Sequence, residues 1–418
     1  MRILIATDTY YPHANGASVF TQRLAEGLNK KGHEILVVAP SKTITNSFYR
    51  HNNVRIFGAR SLPVVIKKNL RYSPPVLSRR PLKKVIKEFQ PELVHIQDHF
   101  SIGKSSFLEA KKLHLPTIGT NHFTPENLLR NVPYFTPLPS EAKFYARSFA
   151  WKGFRKVYEK LDVITTPTKS AVRFMRKQGF KKKVIPISNG IDTKKFSPKN
   201  NGEYLRKKFK IPNRPTLLYV GRLDQEKNLD VALTAFSLIP NFERFHFVIA
   251  GIGICEKSLK RLARDLGITK SATFCGFIKD KDLPNLYTTA NCFIIASSVE
   301  LQSLVTLEAL ASGLPIIAAK GLALPELVSQ GKNGYLFNTN DIEGLAQSLQ
   351  KILSNKKLQV KMSKESLAIA KKHNINKTIE AYEKLYSQLL NKKLKSNSKR
   401  TPGIPIRLMA SRGHLRTL

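Results

Sequence analysis

Residues 297–319 read SSVELQSLVTLEALASGLPIIAA and set two carboxylates, Glu300 and Glu308, in largely apolar sequence with seven residues between them. An unpaired buried charge costs several kcal/mol, roughly, so each glutamate needs a partner or a task. Two cations stand close together in YVGRLDQEKNLD. Arg222 offers a planar fork and Lys227 a point charge, and together they suit a diphosphate. Taken alone, the same stretch reads more readily as a solvated charged loop. TYYPHANGAS carries Asn15-Gly16, a pair suited to a tight turn and to close approach of backbone to a ligand. GTNHF carries His122, and HIQDH carries Asp98 between His95 and His99.

Chemistry of this kind requires rigid elements to aim it. In the first half, RILIATD, EILVVAP, VRIFGA, LVHIQD, PTIGTNH and VITTPT are short β-rich runs with amphipathic helices such as 19–31 and 81–89 between them. In the second, TLLYVGRL, FHFVIAGIG, ATFCGFI, CFIIASS, PIIAAKG and GYLFN repeat the pattern. Apolar runs of this length alternating with helices imply parallel sheets covered on both faces. The fold class is therefore α/β, with two doubly wound, Rossmann-like domains and a cleft between them. Ligands of such sheets lie outside the carboxyl ends of the strands. The expected divisions are 1–188, 189–374, a helix over 375–390 that packs back on the first domain, and a basic, irregular tail over 391–418.

On this frame CFIIASS is a strand and SLVTLEALASG a helix, so Glu300 falls in the loop between them. Ser303, Leu304 and Val305 supply the free N–H groups of the helix's first turn, a natural anion site. Eight steps of roughly 100° leave Glu308 about 80° from the direction of Glu300. The two need not face each other, which argues against a hydrolytic carboxylate pair. They suit two acceptors for sugar hydroxyls either side of a phosphate. The plainer alternative makes Glu300 a helix-terminal charge and Glu308 a salt-bridge partner. His95 and His99 lie on a strand end, where their spacing makes no helical zinc site. Asp280 and Asp282 precede LPNLY and read as a helix cap, so no metal and no cofactor is expected.

The chain has 418 residues and a formal charge of +41, enough length for two cored domains and enough charge to favour polyanions. Three cysteines without a CxxC pair fit a reduced compartment. The N-terminal MRILIATDTYY reads as a first strand and not as a signal peptide, and no run approaches the roughly 18 apolar residues of a membrane span. Residues 35–87 hold twelve Lys and Arg and no acid, mixed with apolar residues as in VVIKKNLRYSPPVLSRRPLKKVIKEF. Such a surface suits an anionic bilayer, and the expected location is cytoplasmic, on the inner face of the plasma membrane. The tail lacks the aromatics that stack bases, so no specific nucleic acid partner is expected.

GRLDQEKNLD, IPISNGIDTKKF, AGIG, CGFI and the E-x7-E followed by LASGLPIIAA, in that order, resemble the group 1 retaining glycosyltransferases of GT-B fold. The opening MRILIATDTYYPHANGAS is similar to members that glycosylate diacylglycerol and related lipids. The resemblance spans about residues 1–390. It implies transfer of a hexose, glucose first, from a nucleotide diphosphate sugar to a membrane lipid. In that scheme Arg222 and Lys227 bind the donor diphosphate, Glu300 the donor sugar and Glu308 the nucleotide ribose. His122 lies near the transferred sugar, with Asp98 as a second acceptor-side candidate, and Gly16 lets the first loop approach. The backbone at Ser303, Leu304 and Val305 touches phosphate. The chain departs from the family pattern at Ser303, where many members have glycine, and at Leu301. The same chemistry on a soluble or polysaccharide-precursor acceptor, a nucleotide-sugar epimerase and a polyanion-binding protein are the other readings.

Overall fold

A computed structural model describes residues 1–11, 15–64, 71–125 and 139–398. Ten strands occupy the first half: β1 (Arg2–Ala6), β2 (Glu34–Pro40), β3 (Ser47–His51), β4 (Val54–Ala59), β5 (Leu62–Pro63), β6 (Arg71–Tyr72), β7 (Leu93–Ile96), β8 (Thr117–Thr120), β9 (Val163–Thr166) and β10 (Val184–Pro186). Six follow: β11 (Thr216–Val220), β12 (His246–Ala250), β13 (Ala272–Gly276), β14 (Cys292–Ile295), β15 (Ile316–Ala319) and β16 (Gly334–Phe337). All twelve runs expected as strands are present. The strands not expected are the edge strand β3, the β5–β6 hairpin and the three-residue β10.

The first sheet has the order β10-β9-β8-β7-β1-β2-β4-β3, parallel throughout except for β3, which runs antiparallel to β4. The second has the order β13-β12-β11-β14-β15-β16 and is wholly parallel. Each is doubly wound, and this is the GT-B architecture. Strand alternation in the first sheet sorts residues between two cores. Leu4, Ala6, Leu36 and Val38 face one, with Leu82, Ile86 and Phe154. Ile3, Ile5, Ile35 and Val37 face the other, with Phe20 and Leu24.

That second core is completed from the far end of the chain. Ile379, Tyr382 and Tyr386 of the helix Ile375–Ser398 fill it. At Gly27 a Cβ would lie 2.1 Å from Ile379 Cδ1, so glycine lets this helix lie against the helix Gly16–Lys30. The tyrosines bring polar tips into the core and find partners there. Tyr386 OH lies 2.8 Å from His95 Nδ1, and Tyr382 OH lies 3.0 Å from Thr120 Oγ1 and 3.1 Å from Thr165 Oγ1. His95 Nε2 meets Thr120 Oγ1 at 2.6 Å, and burial pushes the ring down to about 3, so it stays neutral. His95 is thus a structural residue.

Two expectations change. The irregular tail is expected from residue 391, but the helix runs on to Ser398; 399–418 lie outside the described residues. The helix expected from residue 81 begins at Pro75, since proline is well suited to a first turn, and Pro81 is carried inside it.

Candidate functional site

In the second sheet the chain leaves β11 for β12 on one side and later returns to β14 on the other. The crevice at the ends of β11 and β14 is therefore its switch point. The loop after β11 carries Lys227 in the 3-10 turn Gln225–Lys227, and the loop after β14 carries Glu300. Asn228, in the left-handed region at φ 46°, donates its side-chain amide to Ala296 O at 3.1 Å and ties the two loops together. Lys227 Nζ and Glu300 Oε1 meet at 2.6 Å, each side chain 17% exposed. Burial draws the Glu300 carboxyl up. The charge and hydrogen bond of Lys227, the nearby Ser297 hydroxyl and the Arg222 charge outweigh it and hold Glu300 below the ordinary glutamate range. Glu300 is therefore an ionised acceptor and not a proton donor at neutral pH.

Arg222 stands beside this pair but is engaged by two acids of its own loop, Asp224 and, at 2.6 Å, Glu226 Oε1. Both acids are buried. The two cations expected to act as one clamp are thus separately paired. Two acids at 224 and 226, each within four residues of Arg222, are visible in the sequence and mark a self-paired turn.

The helix Leu304–Ala311 begins at Ser303, whose hydroxyl accepts from Thr306 N at 3.2 Å and bonds Thr306 Oγ1 at 2.8 Å. Serine at this position is an N-cap, and its side chain is spent inside the helix. Leu304 and Val305 hold the first-turn N–H groups that no intrahelical carbonyl reaches. Gly16, at the start of its own helix, faces this terminus: a Cβ there would lie 4.0 Å from Leu304 Cδ1.

Glu308 takes a different role from Glu300. Its Oε1 accepts from Arg23 Nη2 at 2.8 Å and its Oε2 from Tyr287 OH at 3.0 Å, with the residue 4% exposed. Of the two alternatives for Glu308, the salt-bridge partner is what the fold shows, and the partner comes from the other domain. Arg23 lies 285 residues away in sequence, so no spacing could have revealed it.

Across the cleft, His122 follows β8. Its Nε2 lies 3.0 Å from Gln97 Oε1, its ring packs on Phe20 at 4.6 Å, and burial lowers it to about 3, leaving it neutral. Asp98, an acceptor-side candidate, is half-buried, and its Oδ1 has no hydrogen-bond partner among the described residues. Its Oδ2 accepts from Asp8 N at 2.6 Å and from Thr7 Oγ1 at 3.3 Å. Burial, and then the charge of Asp8, drive the Asp98 carboxyl well above the usual range. Asp8 in turn caps the helix Ser101–Lys112, accepting from Ile102 N at 2.9 Å and Gly103 N at 3.2 Å. Asp8 and the Oδ2 of Asp98 are thus engaged within the fold. Asp282 occupies an N-cap position but makes no capping hydrogen bond; it accepts from Tyr204 OH at 2.9 Å.

Comparison with known proteins places this geometry. The family described as "Glycosyl transferases group 1" matches residues 201–368, and "Glycosyltransferase Family 4" matches residues 14–195. Alpha-monoglucosyldiacylglycerol synthase of Streptococcus pneumoniae is 30% identical over 354 residues, covering 82% of this chain and 77% of that protein. The enzyme of the same name from Acholeplasma laidlawii is 27% identical over 406 residues, covering 96% and 100%. Other relatives are GDP-mannose-dependent alpha-mannosyltransferases. Among solved structures, Anabaena Alr3699/HepE in complex with UDP and glucose superposes with a TM-score of 0.72 at 17% identity, covering 93% of this chain and 100% of that one.

Proposed function

This chain belongs to the group 1 glycosyltransferase family and is a hexosyltransferase, and we propose that it moves glucose from a nucleotide diphosphate sugar, UDP-glucose first, to a membrane lipid such as diacylglycerol with retention of the anomeric configuration. The observation that carries the donor reading is the Lys227–Glu300 pair at the switch point of the second sheet. Glu300, kept ionised by Lys227, accepts hydrogen bonds from the sugar hydroxyls. Lys227 places its positive charge where the diphosphate oxygens gather charge as they leave, the largest electrostatic change in the reaction. Arg222 and the N–H groups of Leu304 and Val305 extend that anion site. In a retaining transfer the acceptor hydroxyl attacks from the leaving group's own face. The departing diphosphate oxygen can take the hydroxyl's proton, so neither Glu300 nor His122 has to act as a base. Neutral His122 presents a polar ring edge beside the transferred sugar.

Two observations support a lipid acceptor. Two of the relatives are named for diacylglycerol glucosylation. The helix Ser140–Tyr158 turns Phe144, Tyr145 and Phe149 outward at 65%, 71% and 79% exposure, with Arg147 and Lys152 exposed alongside. Aromatic and cationic side chains mixed on one exposed segment suit the headgroup region of an anionic bilayer, at about 1 kcal/mol per nearby cation. This surface differs from the one expected over 35–87. There Leu82, Val85, Ile86 and Phe89 of the helix Pro75–Phe89 are core residues, which leaves Arg79, Arg80, Lys83 and Lys84 as a basic outer face, and 65–70 lie outside the described residues. Among the described residues no helix is long and apolar enough to cross a membrane.

The test is mass spectrometry of products from the purified protein with diacylglycerol and UDP-glucose or GDP-mannose, the anomer assigned by NMR. An α-glucosyl lipid is expected. A mannosyl lipid would overturn the donor, and sugar transfer only to soluble acceptors would overturn the lipid. Flotation with anionic vesicles should be lost on Phe144→Ser/Phe149→Ser, and unchanged flotation would remove this helix from membrane contact.

A further inference from the structure

The chain crosses between the domains twice, and the two crossings are stitched together. Ile191 N donates to His373 O at 2.7 Å, and Ile375 N donates to Ile191 O at 3.0 Å. Gly190 has φ +73°, and a Cβ there would lie 2.8 Å from Ile375 Cα, so the first crossing is pressed onto the second. Thr378 Oγ1 adds a bond to Ser188 O at 2.9 Å. Rotation of one domain against the other has to pass through this paired segment.

One side chain of the donor loop is fastened to it. Gln302, two residues after Glu300, accepts from Asn189 N at 2.7 Å through Oε1 and donates to Ser188 Oγ at 3.1 Å through Nε2. Ser188 Oγ also lies 2.8 Å from His373 Nδ1, so Gln302 reaches both crossings within two bonds. Its orientation is set by the backbone N–H of Asn189, which only the amide oxygen can satisfy. The residue is 7% exposed. Leu301 O, between Gln302 and Glu300, accepts from Thr168 Oγ1 of the first domain at 2.9 Å. Consecutive residues 300, 301 and 302 thus hold Lys227, the opposite domain and the hinge.

We propose that Gln302 is a positioning residue that couples the interdomain hinge to Glu300, so that the carboxylate is aligned when the domains are correctly set. Gln302 touches neither donor nor acceptor in this account. It acts through the three-residue segment it anchors, and a small hinge rotation becomes a displacement of Glu300 because that segment is held at both ends. The inference rests on the donor role proposed for Glu300, but its mechanical part does not.

The experiment compares full-length native protein with Gln302→Leu, Gln302→Glu and Ser188→Ala by amide hydrogen exchange and by transfer kinetics. Gln302→Leu removes both hinge bonds; Gln302→Glu keeps an acceptor for Asn189 N–H and for the Ser188 hydroxyl. With no nucleotide added, exchange in the peptide containing Glu300 is expected to rise about tenfold in Gln302→Leu and Ser188→Ala and to stay near native in Gln302→Glu. With UDP-glucose and diacylglycerol, kcat is expected to fall about tenfold in Gln302→Leu with donor KM within about twofold, and Gln302→Glu to recover most of it. Unchanged exchange in both Gln302→Leu and Ser188→Ala overturns the coupling, as does an equal loss of kcat in Gln302→Leu and Gln302→Glu. Native protein that transfers no sugar would count against the function proposed above and leave the exchange result to decide the coupling.

Discussion

Asp98 and Glu300 occupy corresponding places in the two domains. Each follows the strand that flanks the first strand of a doubly wound sheet, β7 beside β1 and β14 beside β11. Their carboxyls are driven in opposite directions. Asp98 has another carboxylate, Asp8, as its neighbour and no ion-pair partner among the described residues, and burial drives it well above its usual range. Glu300 has Lys227 at 2.6 Å and is held down in spite of burial. The same topology produces two crevices, and among the described residues the second keeps an ionised acid beside a cation at the rim. In the first, Asp8 is consumed in capping a helix and Asp98 in accepting from backbone. A switch point provides a place, and the counter-charge decides whether that place holds a polar ligand or seals the fold.

The largest way to break this contrast is Lys227→Ala. Loss of the cation proposed to face the leaving diphosphate should lower transfer by about 100- to 1,000-fold, with the protein still folded by circular dichroism. A native rate would place the chemistry elsewhere. Next comes the bridge between the domains. Arg23→Ala strips Glu308 of its only ion-pair partner among the described residues and should cost about 3 kcal/mol in denaturant unfolding. Adding Glu308→Gln should restore part of it, and additive losses would deny the pairing. Asp8→Ala removes the cap of the helix Ser101–Lys112 and should cost about 1–2 kcal/mol while leaving kcat per folded molecule unchanged. A selective fall in kcat would give the first crevice a catalytic part.

The smallest effect is on pH. Asp98 has a raised carboxyl, so its contribution to stability is full below the unfolded value of about 3.8 and is lost as pH rises through the folded one. Glu300 has a lowered carboxyl, so its contribution is present above about 4.5 and is lost as pH falls through the folded value. Asp98→Asn, which keeps an oxygen for Asp8 N–H, should therefore flatten the decline of melting temperature on the alkaline side of pH 4. Glu300→Gln should flatten the decline on the acid side. Identical pH profiles for the two variants would erase the contrast.

The strands that build both crevices were legible in the sequence, because buried parallel strands are written as local apolar runs and need no partner to be recognised. The loops that carry Lys227 and Glu300 were legible for a related reason: each leaves such a run at a strand's carboxyl end. What could not be read were pairings set by tertiary distance. Arg23 with Glu308, Gln302 with Asn189 and Tyr386 with His95 join residues more than a hundred positions apart, and nothing local marks them. The contact of Asp98 with Asp8 was hidden for the same reason, since position at a strand end does not tell which loop packs beside it. Ser303, conspicuous as a departure from the family's glycine, proves to be a helix cap.

Calorimetry of UDP binding tests the contrast most directly, with native protein, Lys227→Ala and Asp98→Asn compared at one pH and ionic strength. Native protein and Asp98→Asn are expected to bind UDP alike. Lys227→Ala is expected to bind about 10- to 100-fold more weakly, the range for losing one hydrogen bond between charged groups. Equal affinity in native protein and Lys227→Ala would contradict the assignment of the diphosphate to the second crevice.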